Sequence, residues 1–464
     1  MKPILLVIGS NYKNQGGISL VIVAIFLFLF IGVSALAIDL SHLYLVRNEL
    51  QNAADAGALA GAKNLYSKDP SAGVVIQVAV AKNAAVATAT ANKALAENQG
   101  PYPVEVDPNT DVKVGHWAFG IGSLSKDFYP YTGTNPQPPD LTLTTPELDQ
   151  DPNFINAVEV TANRNAFPVA TLFAKIFNQG PFTLSAKAVA YIGYAGSLKP
   201  GEVDEPIAIC KQAITNPDGS YTCSYGRMIP NGEQTGAWTN FSQEPCSTAT
   251  GGASSGSVPA LVCQGGNQWS LTFGAYMGTT NGEVDQALTN LINCWIGNND
   301  LDTDDDNLPD QPWKLTLAVI DCEDGKICSN EESQCCSKLV GVVTLNILWI
   351  SYTNGMNSDE VELKHDGTVQ KYPQYPRYMT APDADGNPVT FDFKDDTTHT
   401  DEEIWSEFAD AFNLKDISDP NNITAVTHED KSIYFLPDCT PHFPTGNTGG
   451  ENFGVLAEIP VLVK

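Results

Sequence analysis

The densest set of chemistry-bearing side chains is Asp302-Thr303-Asp304-Asp305-Asp306-Asn307-Leu308-Pro309-Asp310, where carboxylates recur at alternate positions. Hard oxygen ligands at that spacing suit calcium. Asp302, Asp304, Asp306 and Asp310 can turn toward one ion, the Leu308 carbonyl can add a ligand, and Asn307 tolerates the positive φ that glycine usually supplies. Trp313 stands where twelve-residue calcium loops carry a bidentate Glu, so the expected affinity falls to about 10⁻⁴–10⁻³ M and the ion would serve as a structural clip. Without an ion the string is a solvated acidic loop whose like charges repel. Asp383-Ala384-Asp385-Gly386-Asn387 has a similar composition, but Pro388 and Val389 follow it where further oxygen ligands would be needed, and it reads as a turn. Gly252-Ala253-Ser254-Ser255-Gly256 matches the G-x-S-x-G of a hydrolase elbow, which needs a strand before it and a helix after it. Inside STATGGASSGS it reads as a flexible linker. None of the six histidines has the H-E-x-x-H spacing of a zinc site, and no catalytic residue is assigned.

Ten cysteines, at 210, 223, 246, 263, 294, 322, 328, 335, 336 and 439, all lie in the later part of the chain. That distribution fits an oxidising compartment in which disulfides staple one domain. The pairing stays open, with the adjacent Cys335 and Cys336 expected to bond different partners. Cys322, Cys328, Cys335 and Cys336 lack the paired C-x2-4-C spacing of zinc. A formal charge of −29, from 54 acidic and 25 basic residues, repels a phosphate backbone and argues against nucleic-acid binding.

The elements that hold these residues begin with ISLVIVAIFLFLFIGVSALAI, Ile18 to Ile38, which carries no charge. At about 1.5 Å per residue it makes a helix of roughly 31 Å, the hydrocarbon thickness of a bilayer. The competing reading is a signal peptide cut after Ala35-Leu36-Ala37, behind Lys2 and Lys13. The apolar run exceeds the usual h-region and helical character continues past the cut, so retention as a transmembrane helix is expected. Lys2 and Lys13 before the span, against Arg47 alone soon after it, place the N-terminus in the cytoplasm.

Beyond Ile38 the helix is expected to run on without a proline until Pro70. Small residues four apart, Ala54/Ala58/Ala62 and Ala53/Gly57/Gly61, allow close approach of another helix, and Ala72 to Asn98 is the expected partner in a helical hairpin. Val104–Val106, Val112–Val114, Ala157–Ala162 and Phe182–Ile192 read as strands, and Tyr131–Asn153, with five prolines, as an irregular loop. Later come strands at Leu315–Ile320, Leu339–Ile350 and Val455–Val463, and helices at Val284–Trp295 and Glu402–Phe412. The expected fold is α+β: residues 1–17 cytoplasmic, 18–38 spanning, 39–195 an Ala-rich hairpin on a small sheet, and 196–464 a β-rich, disulfide-stapled domain.

The segment QGGISLVIVAIFLFLFIGVSALAIDLSHLYLVRNELQNAADAGALAGA resembles the membrane segment of TadE/TadG-like Flp (tight-adherence) pilus-assembly proteins. The features that carry the likeness are the glycines before the span, Asp39 at its outer end, Tyr44 and Arg47, and Leu50-Gln51-Asn52-Ala53-Ala54-Asp55-Ala56. It continues through Val112–Trp117, Asn156–Val160 and Leu184–Ala190. The resemblance implies a single-pass protein of the bacterial inner membrane facing the periplasm, without enzymatic activity, cofactor or small-molecule substrate. Its partners would be other pilus-assembly subunits, met through the spanning and Ala-rich helices. Val21 or Ile22, not Glu, stands five residues after Gly16 or Gly17, which departs from a prepilin-peptidase substrate. Ile320-Asp321-Cys322-Glu323-Asp324 offers no serine for the D-x-S-x-S metal site that some relatives carry. The alternative is a secreted or surface-displayed, calcium-dependent binding protein of adhesin type, with residues 18–37 as export signal.

Overall fold

The structure, a computed structural model, describes residues 16–67, 75–94, 102–137, 139–140, 143–171, 173–214, 227–228, 235–244, 253–254, 256–280, 284–304, 306, 308–322, 337–352, 360–365, 368–383, 386–415, 426–457 and 459–464. One uninterrupted helix, α1, runs from Gly16 to Lys63. From Ser19 to Ile38 every residue but Ala35 is exposed, and the large apolar side chains point outward all round the helix. Leucine, phenylalanine and isoleucine on every face leave no polar side to turn to water, so by length and composition this stretch could cross a membrane. Below Asp39 the pattern changes. Val46, Leu50, Ala53, Ala54, Ala58 and Ala62 are fully buried, at the i, i+4 spacing of a helix face set against a core.

Helix α2, Val78–Ala91, lies against that face through its own buried row Ala81, Ala85 and Ala89. It is shorter than the expected Ala72–Asn98, because Lys93–Ala94 already forms a short strand paired with Tyr102–Pro103. The two helices cover one face of a sheet built from β1 (Val112–Trp117), β2 (Phe128–Pro130), β3 (Ala157–Val169) and β4 (Phe182–Tyr191), in the order β4-β3-β1-β2. Val158 and Val160 face the helices, whereas Glu159 turns to the other face, where Lys113 and Lys187 approach it at 3.5 and 3.2 Å. Val104–Val106 is not a regular strand: only Glu105 pairs, bridging Asn163. The proline-rich loop is not wholly irregular either, since Thr145–Leu148 makes one helical turn. Pro146 fits there because a first-turn N–H needs no partner, and the Glu147 carboxylate accepts the Thr144 N–H at 2.8 Å.

Among the described residues the second sheet has eight strands. Along its main path run Thr279–Thr280, Gly236–Thr239, β5 (Ile207–Cys210), β6 (Trp313–Asp321), β7 (Lys338–Ile350), β8 (Ile433–Phe435) and Arg227–Met228. β5 and β6 run parallel, and β6 and β7 form the long antiparallel ladder from Trp313↔Ile347 to Asp321↔Lys338. β7 is buried along almost its whole length, as a strand covered on both faces must be. Helix α3 (Asp285–Ile296) and helix α4 (Asp401–Ala411) rest on the β7/β8 pair: Trp295 meets Trp349 edge-on at 5.3 Å, and Trp405 meets Tyr434 at 4.5 Å. Cys210–Cys322 and Cys263–Cys294 are disulfide-bonded, and Cys439 is bonded as well. Cys335 and Cys336 lie outside the described residues.

The end of the chain does not stay with the second sheet. Val461–Leu462 pairs antiparallel with Tyr191 and Ala190 of β4, adding a fifth strand to the first sheet. Val461 and Val463 pack there beside Trp117, Ala157, Val189 and Tyr191, and the Lys464 ammonium reaches Asp127 at 2.9 Å. The expected strand Val455–Val463 is thus reduced to two residues, placed at the edge of the first sheet.

Candidate functional site

The helix face that carries the small residues is a fitted seam. A Cβ added at Gly57 would lie 2.9 Å from the Ala89 Cβ, 3.0 Å from the Ala85 carbonyl oxygen and 3.3 Å from Val160 Cγ1. At Gly61 it would meet Val158 Cγ1 at 2.9 Å and the Ala85 Cβ at 3.2 Å. Both glycines are pinched between α2 and the sheet, so the face expected to receive the 72–98 stretch in a helical hairpin is filled by α2 and, on its other side, by β3.

Asp39 ends the apolar stretch and is 5% exposed. Its carboxylate accepts the backbone N–H of Phe173 at 3.0 Å and of Ala174 at 2.7 Å. Those groups open the 3-10 turn Ala174–Phe177 at the tip of the β3–β4 hairpin. At the other end of the seam the Tyr66 hydroxyl donates to the Ile155 carbonyl at 2.6 Å. The long helix is therefore tied to the sheet at both ends of its buried half. The Asp39 tie places a short polar side chain where the apolar stretch of α1 ends, but the sequence gives no sign of where its partner lies, 134 residues away.

The acidic string is brought together in part. Asp302, Asp304 and Asp310 each offer a carboxylate oxygen, all within 4.8 Å of one another, a set that could hold a metal ion. Asp306 stands outside this set: its Oδ1 accepts the Leu308 N–H at 2.8 Å, and its Oδ2 lies 2.8 Å from Lys394 Nζ. Lys394 also bonds Asp304 and lies 3.8 Å from Asp310. Its ammonium thus occupies the ground between carboxylates that the sequence reading gave to calcium. Burial pulls the Lys394 pKa down, but hydrogen bonds to Asp304 and Asp306, with the charges of Asp306 and Asp310, reverse that and hold it above the ordinary lysine value. Asp310, 1% exposed, is further held by Thr303, whose N–H and hydroxyl donate to it at 2.9 and 2.7 Å.

Ser254 sits in a turn, its N–H donating to Ser257 Oγ at 3.0 Å, and Ser257–Val258 continue that turn, so among the described residues no helix follows it as an elbow requires. The rest of the stretch read as a linker, residues 247–252 and Ser255, lies outside the described residues. At 383–387 the N–H of Asn387 donates to the Asp383 carboxylate at 2.8 Å and Gly386 takes φ +81°, closing the hairpin turn expected there. Asp396, Thr398 and His399 cluster, yet the same imidazole nitrogen, Nδ1, faces both the Thr398 hydroxyl and the Asp396 carboxylate, which is loop capping and not a proton relay.

A cavity of about 150 Å³ opens beside the first sheet, lined by His116, Phe154, Tyr191, Tyr194 and Gly449 among others. Burial lowers the His116 pKa, although its two ring nitrogens lie 3.0 and 3.2 Å from the carbonyl oxygens of Phe154 and Asp149. The Asp149 carboxylate accepts the N–H groups of Phe119 and Ile121 at 2.6 and 2.7 Å, and so organises the loop after β1.

Residues 16–64 match the TadE/G-like Flp pilus-assembly family, and residues 60–190 match the Tad-like Flp pilus-assembly family. No curated protein and no solved structure matches the chain. The two matched segments cover α1, the seam, and the sheet through β4, which are the parts the geometry joins into one unit. Over residues 16–190 the chain is thus similar to TadE/G-like and Tad-like Flp pilus-assembly proteins.

Proposed function

We propose that the chain is a membrane-anchored structural component of Flp pilus assembly, acting without catalysis. In this reading residues 1–17 are cytoplasmic, residues 18–38 span the bacterial inner membrane, and the units 39–195 and 196–464 face the periplasm. The observation that carries it is the continuity of α1, an outward-facing apolar rod of membrane length that becomes, without a break, the buried centre of the family unit. Lys2 and Lys13 before the span support the orientation, and the disulfides support an oxidising space beyond it.

Because the seam of the Ala-rich helix is filled by α2, contact with other assembly subunits is assigned to the exposed surface of the spanning segment. The acidic cluster serves as a clip between the 302–310 loop and the Lys394 segment, with calcium as a second cation that the three carboxylates can accept. Against the secreted alternative stands the helix itself: Ala35-Leu36-Ala37 lies inside an unbroken helix, and Ala37 is two positions before the Asp39 tie.

Deletion of the gene tests the reading. Surface Flp pili should be lost, return with the full chain, and fail to return with a form lacking residues 18–38. Unchanged piliation in the deletion strain would overturn the assignment.

A further inference from the structure

In a chain of net charge −29, residues 160–201 contain no Asp or Glu and four basic residues, Arg164, Lys175, Lys187 and Lys199. This stretch builds the β3–β4 hairpin, whose tip carries exposed Phe167 (45%), exposed Phe182 (38%) and exposed Lys175. Large aromatic side chains beside a lysine, on strands with no acid of their own, are the composition of a surface that meets lipid headgroups, and the adjacent carboxylates, Glu105 and Asp39, are engaged by hairpin N–H groups of Ala166, Phe173 and Ala174.

The height of the tip follows from the pairing. Val160 packs against Gly57, and Ala188 is the cross-strand partner of Val160. Phe182 lies six residues from Ala188 toward the tip, about 20 Å at strand rise. The same distance along α1 is about 13 residues, which sets Phe182 level with Tyr44. The tip then descends to Phe173 and Ala174, whose N–H groups are held by Asp39 at the end of the apolar stretch. The hairpin end therefore spans the heights of residues 39 to 44, within about 8 Å of the hydrocarbon edge, the depth of one headgroup layer. Leu40, Tyr44 and Leu45 of α1 are exposed at the same level.

We propose that the β3–β4 hairpin tip, through Phe167, Lys175 and Phe182, rests in the headgroup layer of the bilayer that α1 crosses, as a second contact that stops the periplasmic unit from swinging on its helix. The proposal depends on the spanning role of residues 18–38. Asp39 couples the two contacts, since its carboxylate joins the exit of the helix to the tip.

The test uses the full chain in nanodiscs of phosphatidylethanolamine and phosphatidylglycerol. A benzophenone side chain replaces, one at a time, Phe167, Lys175, Phe182, Phe26 in the span, and Trp269, which is exposed in the second unit. After irradiation, mass spectrometry counts adducts to lipid. Adducts at Phe26 and at two or more of the three tip positions, with none at Trp269, are expected. Adducts at Phe26 with tip positions that capture only protein, or no more lipid than Trp269, would overturn the hairpin contact and leave the membrane span standing. Absence of adducts at Phe26 would overturn the span, and the hairpin contact with it.

Discussion

Replacing Gly57 and Gly61 together by Ala separates two descriptions of α1 by the sign of the effect. On a solvated rod each exchange would stabilise the helix by about 1 kcal/mol, because Ala loses less backbone entropy than Gly. In the seam the new methyl groups enter contacts of 2.9 Å on the α2 side at Gly57 and 2.9 Å on the sheet side at Gly61. The Ala85 carbonyl oxygen, at 3.0 Å from the first, is backbone and cannot rotate away. Helix α1 is held between two layers, so relief at one side presses on the other. Overpacking of this kind costs about 1 to 3 kcal/mol per site, or about 4 kcal/mol for the pair. Subtracting about 2 kcal/mol of helix propensity leaves a net loss near 2 kcal/mol, a fall in Tm of about 4 to 8 °C for a unit of this size. Thermal unfolding of the detergent-solubilised chain, followed by near-ultraviolet circular dichroism, reads it. A rise in Tm for the double variant would refute the seam.

Replacing Cys210 and Cys322 together by Ala opens a link that closes 112 residues and should cost about 4 to 5 kcal/mol in the second unit, measured by denaturant titration. Burial pushes the Glu205 carboxyl up to about 7, with the Cys263 N–H hydrogen bond opposing and Asp204 adding to it. A raised carboxyl pKa means the folded chain binds the extra proton, so stability falls as pH rises from about 4.5 to about 7 and is flat above. Glu205→Gln should remove that slope and raise the midpoint of unfolding at pH 8, as a pH series of denaturant curves will show. For the acidic cluster, Lys394→Gln removes the ammonium among Asp304, Asp306 and Asp310, and calorimetry should then find tighter calcium binding than the roughly 10⁻⁴–10⁻³ M expected of the native chain. Equal or weaker binding in the variant would show that Lys394 does not compete with the ion.

What could be read from the sequence was what is encoded locally. An uncharged run of membrane length, small residues at helical spacing, and the apolar strands 315–320 and 339–350 each carry their own periodicity, and each appears where expected. The helices α3 and α4 were legible for the same reason; Leu288, Leu291, Ile292 and Trp295 recur at helical spacing, and Thr400 with Glu403 forms a capping box before α4. The turn Thr145–Leu148 carried a comparable signal in Thr144 and Glu147, masked by five prolines around it.

What could not be read was long-range partnership. Nothing near Val461 announces that it will pair with Tyr191, because strand pairing is set by the edge left open in the folded sheet. Lys394 lies 90 residues from Asp304, so the charge that meets the acidic loop is invisible to any local reading, which sees only unpaired carboxylates and supplies calcium. Asp39 stands in the sequence as the first charge after the apolar run, but its role as the tie between helix and hairpin needs the fold.

The most direct measurement is the intact mass of the protein recovered from cell membranes after an alkaline carbonate wash. A chain that stays in the pellet and retains residues 18–38 is the predicted result. A chain released by the wash, or one that begins at Ile38, would contradict the anchored helix on which the account stands.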